Sequence, residues 1–114
     1  MKKLGLGLVA VFVLSTLALA APKESTFKGE IMDSACAKAG SHDAMMKQAG
    51  LKTAKDCTKA CVKGGNKYVL FNKSSKKVYQ LDNQTQPAQF AGQTVTVKGT
   101  LASSGDTIHV SSIK

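Results

Sequence analysis

The segment that decides the fold is "TVTVKGTL" (residues 94–101), followed by the turn "SSGD" and then by "TIHVSSI" (residues 107–113). Apolar and polar residues alternate in both segments, which is typical of strands with one buried and one exposed face. The short polar turn between them predicts a β-hairpin.

Upstream of this hairpin, the same period of two recurs in "KYVLFN" (residues 67–72) and "KKVYQLD" (residues 76–82). The polar turn "NKSSK" between them predicts a second hairpin. The loop "NQTQPAQFAGQ" joins the hairpins, and Pro87 is suited to open one helical turn that ends at Gly92. A fifth strand is predicted at residues 26–32, within "STFKGEIMDS".

Two short helices are predicted in the insertion after the first strand, at about residues 34–65. In the first, residues 42–49, Ser41 is a suitable N-cap and Gly50 a stop. In the second, "TAKDCTKACVKGG", Thr53 and Asp56 have capping-box spacing and two glycines end the helix. At 100° per residue its two cysteines share one face and its lysines the opposite face.

A chain with five strands and so few residues cannot bury both faces of an open sheet, so we expect the sheet to close. The predicted fold is mainly β (α+β): a small five-stranded OB-like barrel with a two-helix insertion after strand 1. Residues 21–114 are expected to form one domain.

Several segments carry a resemblance to a known group of proteins: "GEIMDSAC", "CTKACVKGG", "VYQLD", "FAGQTVTVKGTL" and "DTIHVSSI". Together they resemble small exported bacterial proteins of unknown function with an OB-like C-terminal half. The resemblance implies the fold and export, and it implies no activity.

The N-terminus begins with two lysines, continues as an apolar run from Leu4 to Ala21, and contains the pattern Ala18-Leu19-Ala20. This order is typical of a Sec-type signal peptide of residues 1–20, cleaved after Ala20. A transmembrane anchor is the alternative, but small and hydroxyl residues dilute the apolar run. We therefore expect a periplasmic or secreted protein with no transmembrane segment after cleavage.

The charge balance is strongly basic: the chain has a formal net charge of +9. All its basic side chains apart from histidine are lysines, which favours diffuse attraction to anionic envelope material over a shaped anion site. Nucleic acid is not expected as a partner, because the core needs most of the few aromatic residues. The candidate polyanion contacts are Lys52, Lys55, Lys59, Lys63, Lys73, Lys76 and Lys77.

Three cysteines, Cys36, Cys57 and Cys61, are an awkward number for an oxidising compartment, where they usually pair. Cβ atoms four residues apart on a helix are about 5–6 Å apart, too far for a disulfide. One interpretation is thus a disulfide from Cys36 to Cys57 or Cys61 that leaves one thiol free. This would be a non-catalytic, disulfide-stapled binding module with a lysine-rich face.

The other interpretation uses all three sulfurs. Cys36, His42, Cys57 and Cys61 form a Cys3His set suited to zinc or monovalent copper, and Met45 or Met46 offers a thioether. The nearby lysines are expected to lower the thiol pKa values and favour thiolates. The sequence thus predicts an exported small binding protein with a soft transition-metal site.

Enzymatic activity is not expected. A cysteine nucleophile with His42 as base and Asp33 or Asp43 as orienting acid is conceivable, but no oxyanion-type glycine elbow accompanies it. His109 lies in an alternating strand and is assigned no role in a site.

Overall fold

The computed structural model describes residues 23–114, so the predicted signal peptide of residues 1–20 lies outside the described residues. None of the helices in this range is long and apolar enough to cross a membrane. In chain order the elements are β1 (Ser25–Asp33), α1 (Ser34–Ala39), α2 (Asp43–Ala49), α3 (Ala54–Lys63), β2 (Tyr68–Asn72), β3 (Lys77–Leu81), a 3-10 turn (Pro87–Phe90), β4 (Thr94–Leu101) and β5 (Thr107–Ile113).

The strands close into a barrel in the order β1-β2-β3-β5-β4. Neighbouring strands are antiparallel except β3 and β5, which are parallel, and β4 pairs with β1 to close the barrel. Both predicted hairpins are present, as β2–β3 and β4–β5. The prediction of a small five-stranded OB-like barrel is confirmed.

A bulge between Lys98 and Gly99 bends β4 where it pairs with β5. A Cβ atom at Gly99 would clash with the carbonyl oxygen of His109 on β5. The missing side chain therefore allows the two backbones to approach closely at the bend.

Strand β2 and the last three residues of β1 have both faces buried. Ile31 and Leu70 point into the barrel, whereas Met32, Val69 and Phe71 pack outside it. The period of two expected from the sequence is therefore wrong for β2, which is a continuous apolar run buried on both faces. The barrel core consists of Ile31, Tyr68, Leu70, Leu81, Ala91, Val95, Val97 and Ile108. The insertion cluster consists of Met32, Cys36, Ala37, Cys57, Val69 and Phe71.

The insertion between β1 and β2 contains the two predicted helices, as α2 and α3, and one further short helix, α1. Gly50 ends α2 at a φ of 67°, and the Thr53 side chain accepts a hydrogen bond from the backbone N–H of Asp56 at the start of α3. Helix α1 has six residues, between Asp33 as N-cap and Gly40 at a φ of 85°. It is too short to have a clear helical period in the sequence.

Candidate metal centre

Four side chains, from β1, α1 and α3, converge at one point. One ligand atom each from Asp33, Cys36, Cys57 and Cys61 lies within 4.8 Å of the other three. Asp33 and Cys57 are fully buried, Cys36 is almost fully buried, and Cys61 is half-buried. The structure thus brings the three predicted sulfur ligands together and adds a carboxylate to them.

The junction of β1 and α1 positions two of these groups. Asp33 is the last residue of β1 and the N-cap of α1, and its Oδ2 accepts a hydrogen bond of 2.9 Å from the backbone N–H of Cys36. An N-cap side chain folds back over the first turn of its helix. The cap therefore holds the carboxylate beside the Cys36 side chain.

The other two groups lie one turn apart on α3, whose C-terminal end is tied to the start of α1. The backbone and side-chain N–H groups of Asn66 donate to the carbonyl oxygen of Cys61, at 3.1 and 3.2 Å. The Ser34 hydroxyl donates to Oδ1 of Asn66 at 3.1 Å. These bonds link the helix that carries Cys61 to the helix that carries Cys36.

All three cysteines are free thiols in the structure. The Sγ atoms of Cys36 and Cys57 are 4.0 Å apart, whereas a disulfide bond is about 2.0 Å long. Neither disulfide considered from the sequence, Cys36 with Cys57 or with Cys61, is formed.

The thiols of Cys36 and Cys61 lie in an environment that favours their protonated form. Burial raises the pKa of Cys36, and the hydrogen bond and negative charge of Asp33 raise it further. Burial and the charge of Asp33 also raise the pKa of Cys61. The expectation that nearby lysines lower these pKa values is wrong, because the lysines of α3 are exposed to solvent while burial and Asp33 act directly on Cys36 and Cys61.

Asp33 has one carboxylate oxygen without a partner. Its Oδ1 is buried and accepts no hydrogen bond. Within residues 23–114, no lysine or histidine forms an ion pair with this carboxylate. The only partners of this buried carboxylate among residues 23–114 are the backbone N–H and the thiol of Cys36, so a positively charged occupant would reduce its desolvation penalty.

The spacing of the ligand atoms suits a small tetrahedral ion. Zinc bound at about 2.3 Å from each sulfur requires sulfurs about 3.8 Å apart. The Cys36 and Cys57 sulfurs are 4.0 Å apart, and no pair of ligand atoms exceeds 4.8 Å. A contraction of at most about 1.3 Å, within reach of side-chain rotations, would therefore complete the coordination shell.

The fourth predicted ligand, His42, lies apart from this group. Its Nε2 atom is 2.5 Å from Oε2 of Glu30, and its Nδ1 atom is buried without a partner. Sequence reasoning suggests Asp33 only as an orienting acid. The signal that it missed is the N-cap spacing, with an aspartate at the end of a strand three residues before Cys36.

The remaining side chains singled out in the sequence lie around the site or away from it. Met45 and Met46 are half-buried and pack against the insertion cluster. His109 is exposed on β5, with its Nδ1 atom 3.1 Å from Oδ2 of Asp82.

The seven lysines proposed as polyanion contacts are all exposed. They form two groups, one on α3 with its preceding loop and one on the β2–β3 turn with the first residue of β3. The ammonium groups of Lys76 and Lys77 lie 5.9 and 5.6 Å from the ring centroids of Phe71 and Tyr79. A polyanion-binding role for these lysines stays a prediction.

Comparison with protein families gives one partial match. Residues 62–114 match a family described as a protein of unknown function (DUF5818). No curated protein and no solved structure matches the chain. The matched part is a little less than half of the chain, and it supports assignment to small proteins of unknown function.

The matched region excludes the candidate site. It begins one residue after Cys61 and contains β2, β3, β4 and β5. All four members of the Asp/Cys3 group, which span residues 33–61, precede it. The family similarity therefore concerns the barrel, and the candidate metal centre belongs to the part of the chain outside the match.

Proposed function

We propose that this protein binds one transition-metal ion through the thiolates of Cys36, Cys57 and Cys61 and the carboxylate of Asp33. The observation that carries the proposal is the buried Oδ1 atom of Asp33, which has no partner and belongs to a group whose members lie within 4.8 Å of one another. A bound cation turns this unpaired buried charge into a ligand.

The donor set favours zinc, with monovalent copper second. Zinc accepts both cysteine sulfur and aspartate oxygen in a four-coordinate tetrahedral site. Monovalent copper prefers soft sulfur ligands, so it would use the three thiolates and leave the carboxylate unpaired. The presence of Asp33 among the donors therefore favours zinc over monovalent copper.

A bound ion would stabilise the insertion. Its ligands come from the end of β1, from α1 and from α3, so the ion would tie α3 to the β1–α1 junction, to which no disulfide links it. The predicted signal peptide would place this site in the periplasm or outside the cell, where the protein would bind its ion from the envelope.

The test is the substitution Asp33→Asn, with Asp43→Asn on an exposed position of α2 as matched control. Asparagine retains an oxygen that can accept the Cys36 N–H bond but removes the charge. Native mass spectrometry of the reduced wild-type protein should show one zinc per chain. Isothermal titration calorimetry should show that zinc binds at least tenfold more weakly to Asp33→Asn and equally well to Asp43→Asn. The tenfold figure is the lower end of the loss seen when groups that support metal ligands are removed.

The metal-free proteins supply a second readout. Because Asp33→Asn removes an unpaired buried charge, the metal-free variant should unfold at the same or higher urea concentration than the metal-free wild type. If the reduced wild-type protein binds no zinc or copper, or if Asp33→Asn binds zinc as tightly as wild type, the proposal is wrong.

A further inference from the structure

Two of the sulfurs in the Asp/Cys3 group are placed to react with each other. Cys36 lies in the first turn of α1 and Cys57 in the first turn of α3, and their Sγ atoms are 4.0 Å apart. Disulfide formation would bring them about 2 Å closer. Cys57 and Cys61 lie four residues apart on one helix, with Cβ atoms too distant for a disulfide. A cross-link is therefore favoured between α1 and α3.

The third sulfur, that of Cys61, is more accessible to solvent than the other two. Cys36 and Cys57 are 3% and 0% exposed, whereas Cys61 is half-buried at the C-terminal end of the same face of α3. A reagent from solvent thus reaches Cys61 first. The three sulfurs are close enough for a bond formed at Cys61 to move to the buried pair.

We propose that thiol–disulfide exchange controls release of the metal ion, an inference that rests on the proposed metal-binding function. A low-molecular-weight disulfide oxidises Cys36 and Cys57 to a disulfide. The ion then leaves because only Cys61 and Asp33 remain as ligands, too few for a tetrahedral zinc site. A thiol reductant restores the dithiol and the site.

Each step of the exchange forms one S–S bond and breaks one. The Cys61 sulfur attacks the small disulfide RSSR, forms a mixed disulfide and releases one thiol, RSH. Cys36 attacks the Cys61 sulfur and displaces the second RSH. Cys57 then attacks the Cys36 sulfur and frees Cys61. Overall, two protein thiols lose two electrons and two protons, and one RSSR becomes two RSH.

The experiment uses the full-length zinc-loaded protein and oxidised glutathione. A chromogenic zinc chelator follows release, and peptide mass spectrometry identifies the cross-link. We expect one zinc released for each Cys36–Cys57 disulfide formed, and zinc binding regained after treatment with dithiothreitol. Cys36→Ser should form no link between α1 and α3.

The role of Cys61 is tested on metal-free protein, so that weaker zinc binding does not affect the result. Cys61→Ser should reach the same Cys36–Cys57 disulfide at least tenfold more slowly. Ser41→Ala, a change in the α1–α2 connection, serves as a control that should leave the rate unchanged.

Three outcomes would overturn the inference. These are retention of zinc by the oxidised protein, a cross-link that is intermolecular or joins Cys57 to Cys61, and an unchanged oxidation rate in Cys61→Ser. Failure of the reduced protein to bind zinc is a different result, because it overturns the metal-binding proposal itself.

Discussion

The barrel core and the insertion cluster share two strands but differ in chemistry. The barrel core contains aliphatic side chains, an alanine and a tyrosine. The insertion cluster contains two thiols and lies against the buried carboxylate of Asp33. Both β1 and β2 supply residues to the two clusters. Neighbouring residues on either strand face opposite sides, so one lies in the chemically inert barrel core and the next in the cluster that contains the thiols.

The distribution of unpartnered polar atoms follows the same division. Four buried side-chain atoms in residues 23–114 lack a hydrogen-bond partner, and three of them belong to Asp33, His42 and Thr58, at the edge of the insertion or within it. Buried polar groups in stable interiors are nearly always satisfied. Within residues 23–114, the unsatisfied buried polar atoms are thus concentrated in or beside the insertion, where the Asp/Cys3 group could hold a metal ion.

The largest expected effect comes from substituting neighbouring residues of β2 that face opposite sides. Leu70→Ala empties part of the barrel core and should lower the free energy of unfolding by about 2–5 kcal/mol, with zinc affinity unchanged. Val69→Ala removes less volume from the insertion cluster, so it should cost less stability but weaken zinc binding. Urea unfolding with and without zinc checks both. Equal loss of zinc affinity in the two variants would show that the regions are not independent.

The strands and caps of this fold could be predicted from sequence because their signals are local. β4 alternates strictly and β5 alternates as far as Val110, and the predicted Thr53 cap and Gly50 stop match the structure. The residues grouped with the sulfurs could not be predicted in full, because that depends on how β1 meets the insertion in three dimensions. His42 was included for its chemistry, but its ring turns to Glu30, while the short cap at Asp33 places a carboxylate among the sulfurs.

The second prediction concerns pH. Burial raises the pKa values of Cys36 and Cys61, so both are protonated in the metal-free protein near neutral pH and must each lose a proton to bind zinc. At pH values below 9.0, the usual pKa of cysteine, the loss of one proton from each of these two thiols should therefore raise zinc affinity about a hundredfold per pH unit. Calorimetry in buffers of different ionisation enthalpy counts the released protons.

Stability of the metal-free protein should change in the opposite direction with pH. A raised pKa means that the fold favours the protonated thiol, so the stabilisation is fully present below about 9 and is lost as the pH rises through the higher folded value. A zinc affinity that does not vary between about pH 6 and pH 8 would contradict coordination by these thiols.

The third prediction separates His42 from the metal centre. His42→Gln should lower the stability of the fold by about 1–3 kcal/mol, because Glu30 loses its partner in a largely buried position. Zinc stoichiometry and affinity should equal those of wild type, since the His42 ring bonds to Glu30 and is absent from the Asp/Cys3 group. Thermal unfolding and zinc titration of the same samples check both halves. If His42→Gln loses zinc while all three of its thiols remain titratable, His42 is instead a ligand.

The smallest expected effect lies on the far side of the barrel, where β3 and β5 pair through Gln80 with Thr107 and Leu81 with Ile108. Asp82 reinforces this short parallel joint: its Oδ1 accepts a 2.9 Å bond from the backbone N–H of Val110, and its Oδ2 faces His109. The Val110 bond, and to a lesser extent His109, hold the pKa of Asp82 below 3.8.

Asp82→Asn should therefore lower stability at neutral pH by only about 0.5 kcal/mol, because the carboxylate is largely exposed to solvent. A depressed carboxyl pKa stabilises the fold above the unfolded value and loses that effect as the pH falls through the folded one. The difference between variant and wild type should thus shrink below about pH 3.8 in urea unfolding experiments. A larger loss, or one that also weakens zinc binding, would mean that the joint on this side of the barrel positions the insertion as well.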